Sequence, residues 1–372
     1  MIVIGLGFGD EGKGQTVSYL CSKVRNPLVV RFNGGHQAGH TVVRNGVRHV
    51  SSTYGAGALY DIPTYISHHC TFYPTAMFNE FLTLSEDKNM SPRLIVNPLC
   101  PVTTPYDLFF NRKTEDDRGS LRHGSVGVGF GATIQRQENY YKLHVQDLKY
   151  PKIVKAKLDN ISKYYGIDID ENIILEFMNT IKYVMNIIEV LDYNEVSKMG
   201  FDPILEGAQG ILLDQDHGFF PNVTRSNTTV KNALDVWDKL GMNSYRMPEI
   251  YYVTRTYQTR HGSGFMTNEG DIEGMLINNE DETNVSHSYQ GHFRIGSLDV
   301  ELLNYALEVD SRYHQLHISK NIVVTCMDQF KISIYTLLKS LNTKFNNVLI
   351  STGPSRDDIK ENYDEYENEF QL

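Results

Sequence analysis

Residues 2–16 read IVIGLGFGDEGKGQT, and no other stretch limits the possible folds as strongly. Ile2, Val3 and Ile4 predict a short buried strand that ends at Gly5. Gly7, Gly9, Gly12 and Gly14 follow, so the turn can take positive φ and bring backbone N–H groups close to a ligand. The run 15–24 has helical character, and a helix N-terminus with its bare N–H groups and dipole attracts phosphate. Lys13 adds positive charge at the same place. Two generic patterns fit, each incompletely. Gly7 to Gly12 satisfies G-x-G-x-x-G, but the second apolar run, 27–30, leads into Arg31 and Asn33 and not into the expected carboxylate. Gly7 to Lys13 satisfies the front of a P-loop, but Gly14 replaces the Ser or Thr that would hold Mg2+. Asp10 and Glu11 are the anomaly, because a carboxylate beside phosphates repels them unless a cation intervenes or the carboxylate performs chemistry. The plain alternative is a glycine turn with solvated acids.

Composition narrows the class. At 372 residues, 41% apolar and 22% charged, the chain reads as an ordinary globular protein with room for one large domain or two smaller ones. A net charge of −10 argues against general nucleic-acid binding, which needs clustered Lys and Arg. Cys21, Cys70, Cys100 and Cys326 lack C-x-x-C spacing, so neither a zinc site nor a disulfide framework is expected. No apolar run reaches the roughly 20 residues that span a bilayer, and no signal-peptide pattern stands before the first strand. A cytoplasmic protein with no membrane partner is the expectation.

Leu28 to Phe32 predicts a second strand, followed by Asn33-Gly34-Gly35-His36-Gln37-Ala38-Gly39-His40-Thr41. Its glycines make a tight loop a better reading than a helix carrying two metal-binding histidines. Val42 to Val50 alternates around Asn45-Gly46, the signature of a type I′ hairpin. A helix is expected over 75–84, and 122–136 is a third glycine-rich loop with Ser125 as the hydroxyl at its turn. Apolar residues at helical spacing predict a core helix within 173–199. A strand from Ile204 is expected to run into the polar loop 206–210, and 224–229 has N-cap chemistry for a helix over 230–240. Further strands at 251–254, 322–325 and 348–351 deliver Arg255 and Arg260, Asp328, and Thr352-Gly353-Pro354. The acid-rich stretch 357–369 predicts a solvated terminal helix. Strands ending in glycine-rich loops, alternating with helices, predict an α/β protein. We expect a single domain, residues 1–372, around a large, mostly parallel twisted sheet with a P-loop-like phosphate site, ligands binding at the carboxyl ends of the strands.

GDEGKG (9–14), GGHQAGHT (34–41), EGAQGILLDQDHG (206–218), VTRSNTT (223–229) and STGPSR (351–356) resemble, in that order, adenylosuccinate synthetase over nearly the whole chain. The resemblance implies a homodimer that joins L-aspartate to C6 of inosine monophosphate, driven by GTP with Mg2+. In that family O6, a poor leaving group, is phosphorylated before the aspartate amine displaces it. Asp10 matches the base that takes the N1 proton and also a metal ligand, with the Gly39 carbonyl completing the metal shell. Lys13 matches a catalytic cation, and His40 the acid that stabilises the transferring phosphoryl group. Gly9, Glu11, Gly12, Gly14, Gln15 and Thr41 match the nucleotide and phosphate site, Asp328 the guanine reader, and Gly353 and Pro354 the base pocket. Gln37, Ala38, Ser125, Val126, Gln209 and Thr224 match the purine monophosphate site, and Ser288 and Arg294 the aspartate site.

Departures from the family pattern bear on specificity. Thr325-Cys326-Met327-Asp328 lacks the lysine that packs along guanine, so ATP joins GTP as a candidate co-substrate. Gln37 stands where the family usually has Asn, and 288–296 keeps only Arg294 of an arginine-rich loop. Tyr140 occupies the position of an arginine that crosses the dimer, and Arg136 is the expected replacement. These departures look most like the short archaeal and phage-type relatives, including those that make N6-succino-2-amino-2′-deoxyadenylate from dGMP. Asp10, which many of those phage enzymes replace by serine, points back to the ordinary IMP enzyme. The rivals from other classes are a GTP-binding switch protein and a dinucleotide oxidoreductase.

Overall fold

The computed structural model describes residues 1–119, 125–277, 291–315 and 317–361. Its strands are β1 (Ile2–Gly5), β2 (Pro27–Arg31), β3 (His40–Arg44), β4 (Val47–Ser51), β5 (Thr64–Ile66), β6 (Leu94–Val96), β7 (Glu189–Val190), β8 (Asp202–Gly210), β9 (Glu249–Arg255), β10 (Tyr257–His261), β11 (Phe293–Ser297), β12 (Ser319–Thr325), β13 (Asn347–Ser351) and β14 (Ile359–Lys360). Ten of them form one sheet in the order β14-β13-β12-β9-β1-β8-β2-β5-β6-β7, parallel throughout except for β13–β14. The expected α/β fold on a mostly parallel sheet is what forms. β1 sits between β8 and β9, so the loop that follows it emerges in the middle of the carboxyl edge.

Both faces of the sheet are covered, as parallel sheets require. Val3, Val29 and Val323 enter one core with Val17, Met77 and Phe177 from the helices Lys13–Cys21, Pro74–Leu82 and Glu171–Val184. Ile2, Ile4, Val30 and Val324 enter the other with Trp237 and Leu303 from the helices Lys231–Lys239 and Val300–Ser311. Each fully buried apolar side chain contributes about 1.5–3 kcal/mol. Among the described residues no helix is long and apolar enough to cross a membrane. The Asn45-Gly46 hairpin forms as expected, with φ of 50° and 76° and with Arg44 opposite Val47.

Three expectations need correction. The helix read within 173–199 stops at Val184, and β7 and a short helix, Tyr193–Ser197, follow it. Ile187, Ile188 and Val190 continue the apolar pattern because an edge strand also buries apolar residues, and periodicity alone does not separate the two over so short a run. The stretch 206–210 is strand and not loop. Of the acidic tail, Arg356–Asp358 is one 3-10 turn and Ile359–Lys360 is β14, with Ile359 buried; residues 362–369 lie outside the described residues.

Gly210 ends β8 against the loop after β1. A Cβ there would lie 2.2 Å from the Gly7 carbonyl oxygen and 2.3 Å from Glu11 Oε1. We predict that Gly210→Ala lowers stability in urea unfolding by about 1–3 kcal/mol, the usual penalty for overpacking. Gly131→Ala, whose methyl would come no closer than 3.6 Å to Arg225 Cδ inside a helix, should leave stability unchanged or raise it.

Candidate functional site

The loop after β1 is shaped by a carboxylate turned inward. Glu11 is buried; it accepts from the backbone N–H of Gly7 at 3.0 Å and of Gly9 at 2.8 Å, and it pairs with the Lys13 ammonium. Glu11 therefore does not face the ligand side, contrary to its assignment to the nucleotide site; the cavity is lined instead by Gly9, Asp10, Gly12 and Lys13. Gly9, Asp10 and Gly12 take φ of 99°, 61° and 95°, the left-handed region that glycine tolerates and Asp accepts more readily than most side chains. Gly14, which broke the P-loop pattern, lies against the second loop. A Cβ on it would come within 2.9 Å of His40 Cβ.

A cavity of about 1470 Å³ lies along the carboxyl edge, and two ion pairs open onto it. Asp10 meets His261 Nε2 at 2.9 Å. Burial raises the Asp10 carboxyl, but the His261 hydrogen bond and charge, with Arg255 and Lys13, outweigh it and hold the group below the ordinary Asp range. His40, at the start of β3, pairs through Nδ1 with Glu206 of β8, whose other oxygen accepts from the Ala56 N–H at 3.0 Å. Glu206 is fully buried, which raises it, yet the His40 and Arg31 charges hold it below its usual value. A buried carboxylate that fixes Nδ1 turns the remaining ring nitrogen to a defined direction.

Most of the expected site residues line this one cavity: Gln37, Ala38, Gly39 and Thr41 from the second loop, Ser125 and Val126 from the third, Gln209 and Thr224, and Asp328, Gly353 and Pro354 at the far end. Both amide atoms of Gln37 and Oε1 of Gln209 are buried without a protein hydrogen-bond partner. The Ser125 hydroxyl is engaged with Asn111 Oδ1 at 3.1 Å and the Gly127 N–H at 3.2 Å. Gln15 Nε2 donates to Ser351 Oγ at 2.8 Å and to the carbonyls of Gly353 at 2.7 Å and Ser355 at 2.5 Å, so it also ties the first helix to the base-pocket loop. Burial, reinforced by Asp358, raises the Asp328 carboxyl. The 224–229 segment does more than cap a helix. Thr228 N–H donates to Asp214 Oδ2 at 2.6 Å, its hydroxyl to the Gly210 carbonyl at 3.0 Å, and Asn227 Nδ2 to Asp216 at 2.9 Å.

Two arginines do not stand where the sequence reading put them. Arg136 is fully buried, bound to Asp107 at 2.8 Å and to the Val102 and Tyr141 carbonyls, and it does not line the cavity. With its guanidinium consumed in the protein interior, it cannot replace a cross-dimer arginine. Arg294 pairs with Glu269 at 2.6 Å and donates to the Gly264 carbonyl at 2.9 Å, behind Arg260, its neighbour across β10–β11. Arg260 lines the cavity instead, and burial together with the Arg294 charge lowers it to about 10. Ser288 lies outside the described residues. Arg48, Arg225, Arg255 and His261 also line the cavity without having been assigned a role. The only signal for Arg255 was its place at the end of a predicted strand, and His261 carried none.

A model of the adenylosuccinate synthetase family matches residues 2–366. An adenylosuccinate synthetase of Alteromonas mediterranea is 32% identical over 290 residues, 73% of this chain and 65% of the relative, just under two thirds of its length. That of Pseudomonas fluorescens is 30% identical over 327 residues, 84% of this chain and 74% of the relative. The fully ligated adenylosuccinate synthetase of Plasmodium falciparum has the same fold, with a TM-score of 0.79 at 20% identity over 97% of this chain and 99% of that one. Cyanophage S-2L succinoaminodeoxyadenylate synthetase, bound to dGMP and dATP, shares it with a TM-score of 0.67 at 16% identity over 99% and 97%. With the motifs, the sheet and the family match in agreement, the chain belongs to the adenylosuccinate synthetase family.

Proposed function

We propose that this chain is a ligase that forms a C–N bond between the amine of L-aspartate and C6 of a 6-oxopurine 5′-monophosphate, driven by ATP or GTP, and that it works as a single-domain homodimer. The observation that carries the reading is that Asp10 and His40, each held by an ionisable partner, open onto the cavity of the phosphate loop. Asp10 takes the N1 proton, and the electron pair this releases makes O6 the nucleophile. O6 attacks the γ-phosphorus and the nucleoside diphosphate leaves. Lys13 and the loop N–H groups neutralise charge on the transferring group while His40 donates a hydrogen bond to it. The aspartate amine then attacks C6, inorganic phosphate leaves and the amine gives up a proton. Mg2+ uses few protein oxygens and takes the rest from phosphates and water, so the Asp10 carboxylate and the Gly39 carbonyl suit it. It would supply charge neutralisation between the phosphates.

Two purines fit, because hypoxanthine and guanine are alike at N1 and O6. The ordinary synthetases at 30–32% identity and the presence of Asp10 support IMP. The Cys326, Gln37 and Tyr140 departures support dGMP, as do the orphaned acceptors Gln37 Oε1 and Gln209 Oε1, which a 2-amino donor would satisfy. A phosphate-release assay with aspartate and Mg2+, crossing IMP, GMP and dGMP against ATP and GTP, decides between them. Turnover with IMP alone makes this an ordinary synthetase; turnover with dGMP and not IMP makes it a diaminopurine enzyme. No aspartate-dependent phosphate release with any pair refutes the ligase reading.

Three variants test the assignments. Asp10→Asn should cut turnover by about 10²–10⁴-fold while the monophosphate still binds, since the group acts on the transition state. Cys326→Lys should shift the ATP/GTP preference towards GTP; an unchanged ratio removes that account of nucleotide choice. His261→Asn should raise the Asp10 pKa, moving the acid limb of the kcat/KM profile to higher pH. The sign follows from the depressed carboxyl. The pairing stabilises the fold above the ordinary Asp range and is lost as pH falls through the lowered value.

A further inference from the structure

Outside the cavity, the turn after β5 brings His68 and His69 against Asp235 of the helix Lys231–Lys239. His69 Nε2 lies 2.8 Å from Asp235 Oδ2 and His68 Nε2 lies 3.8 Å from the same oxygen, and one ligand atom from each of the three residues falls within 4.8 Å of the others. Among the described residues this is the one such cluster of three potential ligands. A tetrahedral zinc site with bonds of about 2.0–2.1 Å sets ligand atoms roughly 3.3 Å apart, midway between the two observed separations. The two rings lie nearly against each other, their centroids 3.9 Å apart. His68 Nδ1 meets the Tyr193 hydroxyl at 2.5 Å, and an Nδ1–H that donates to that oxygen leaves Nε2 as the ligating nitrogen. Lys239 occupies the other oxygen of Asp235, so Oδ2 alone is turned to the imidazoles. All three residues are part-exposed, which gives an ion a path in, and none of them lines the central cavity.

We infer that His68, His69 and Asp235 form a second metal site, independent of the proposed chemistry, for a borderline divalent transition metal of the Zn2+ kind. Two imidazoles and one carboxylate suit such an ion, whereas Mg2+ and Ca2+ prefer all-oxygen sets. Water completes the shell. Burial lowers both imidazoles, the sense that favours the neutral form ligation needs. The site clips the β5 turn to the helix Lys231–Lys239. The same turn supports the second glycine-rich loop, through Thr71 N–H to the Gly34 carbonyl at 3.0 Å and Cys70 Sγ to the Asn33 carbonyl at 3.6 Å.

The test is calorimetric titration of the full chain with Zn2+ in excess Mg2+, with Co2+ absorption as a second readout. One equivalent of Zn2+ should bind, Co2+ should give a visible band of low coordination number, and Zn2+ should raise the unfolding temperature. His68→Ala/His69→Ala and Asp235→Asn should each weaken binding at least about tenfold and abolish the thermal shift, and Tyr193→Phe should weaken it by about 10-fold. Where the double alanine variant fails to fold without metal, His69→Gln, which keeps a hydrogen bond to Asp235, replaces it. Absence of saturable binding, or an affinity that these substitutions leave unchanged, overturns the inference.

Discussion

Glu11 accepts from two backbone N–H groups of its own loop and from Lys13, and this buried contact ties the loop between β1 and the first helix to itself. It explains several glycines at once. A Cβ on Gly5 would lie 2.2 Å from Glu11 Oε2, one on Gly7 3.3 Å from Oε1, and one on Gly210 2.3 Å from Oε1. These glycines make room for a protein carboxylate, while those with positive φ, Gly9 and Gly12, bend the loop towards the cavity. A buried ion pair contributes little net stability, because desolvation offsets the attraction. What it gives here is position. The Lys13 ammonium is fixed on one side by Glu11 and presented to the cavity on the other.

The same economy of position governs the two dyads. Glu206 stands opposite Val3 on β1 and Arg31 on β2, at the centre of the sheet, where side chains are least free to move. From there it holds His40, the first residue of a hairpin whose two strands form a separate two-stranded sheet. Arg31 reaches the same hairpin region through the Ser52 carbonyl, so sheet and hairpin are joined by charge as well as by packing. Asp10 is held from the opposite side, by His261 at the end of β10 and by the Arg255 guanidinium on its own carbonyl oxygen. The strand order makes this possible. β8 and β9 flank β1, so loops far apart in sequence reach the β1 loop from either side.

Much of this was legible in the sequence, because glycine loops after apolar strands mark a parallel sheet's ligand edge and the motifs lie on those loops. The family resemblance assigned Asp10, His40 and Gln209 to one site before their contacts were visible. What remained hidden was direction. Asp10 and Glu11 are adjacent acids in one loop, and only the backbone dihedrals show that one faces the ligand side and the other the interior. Arg136 was placed by its nearness in sequence to Tyr140, but its helix turns it towards Asp107, a partner 29 residues away. Arg294 and Arg260 face each other across a hairpin, and the register of that hairpin decides which of them reaches the cavity. The apolar run through 187–190 failed for a different reason, since a two-residue edge strand is shorter than the window that defines a period.

At the far end of the cavity, the turn around Cys326 is fixed largely by the main chain. Cys326 takes φ of 63°, and its carbonyl accepts from Thr256 Oγ1 at 3.1 Å, Gln329 N–H at 3.0 Å and Phe330 N–H at 3.1 Å. Met327 N–H donates to the Ser351 carbonyl at 3.0 Å, which locks this turn to the next strand. The turn that carries Asp328 is thus built from main-chain hydrogen bonds, and no lysine at 326 is needed to form it. Gln15 holds the facing loop in the same way, through the Gly353 and Ser355 carbonyls. The phosphate loop is braced from several sides, by Glu11 within it and by Arg255 on the Asp10 carbonyl, Thr259 on the Gly9 carbonyl at 3.2 Å and Thr325 on the Glu11 carbonyl at 2.7 Å. Thr325, one residue before Cys326, and Gln15, on the helix that follows the phosphate loop, tie that loop to the far end of the cavity, so the two ends form one hydrogen-bonded frame.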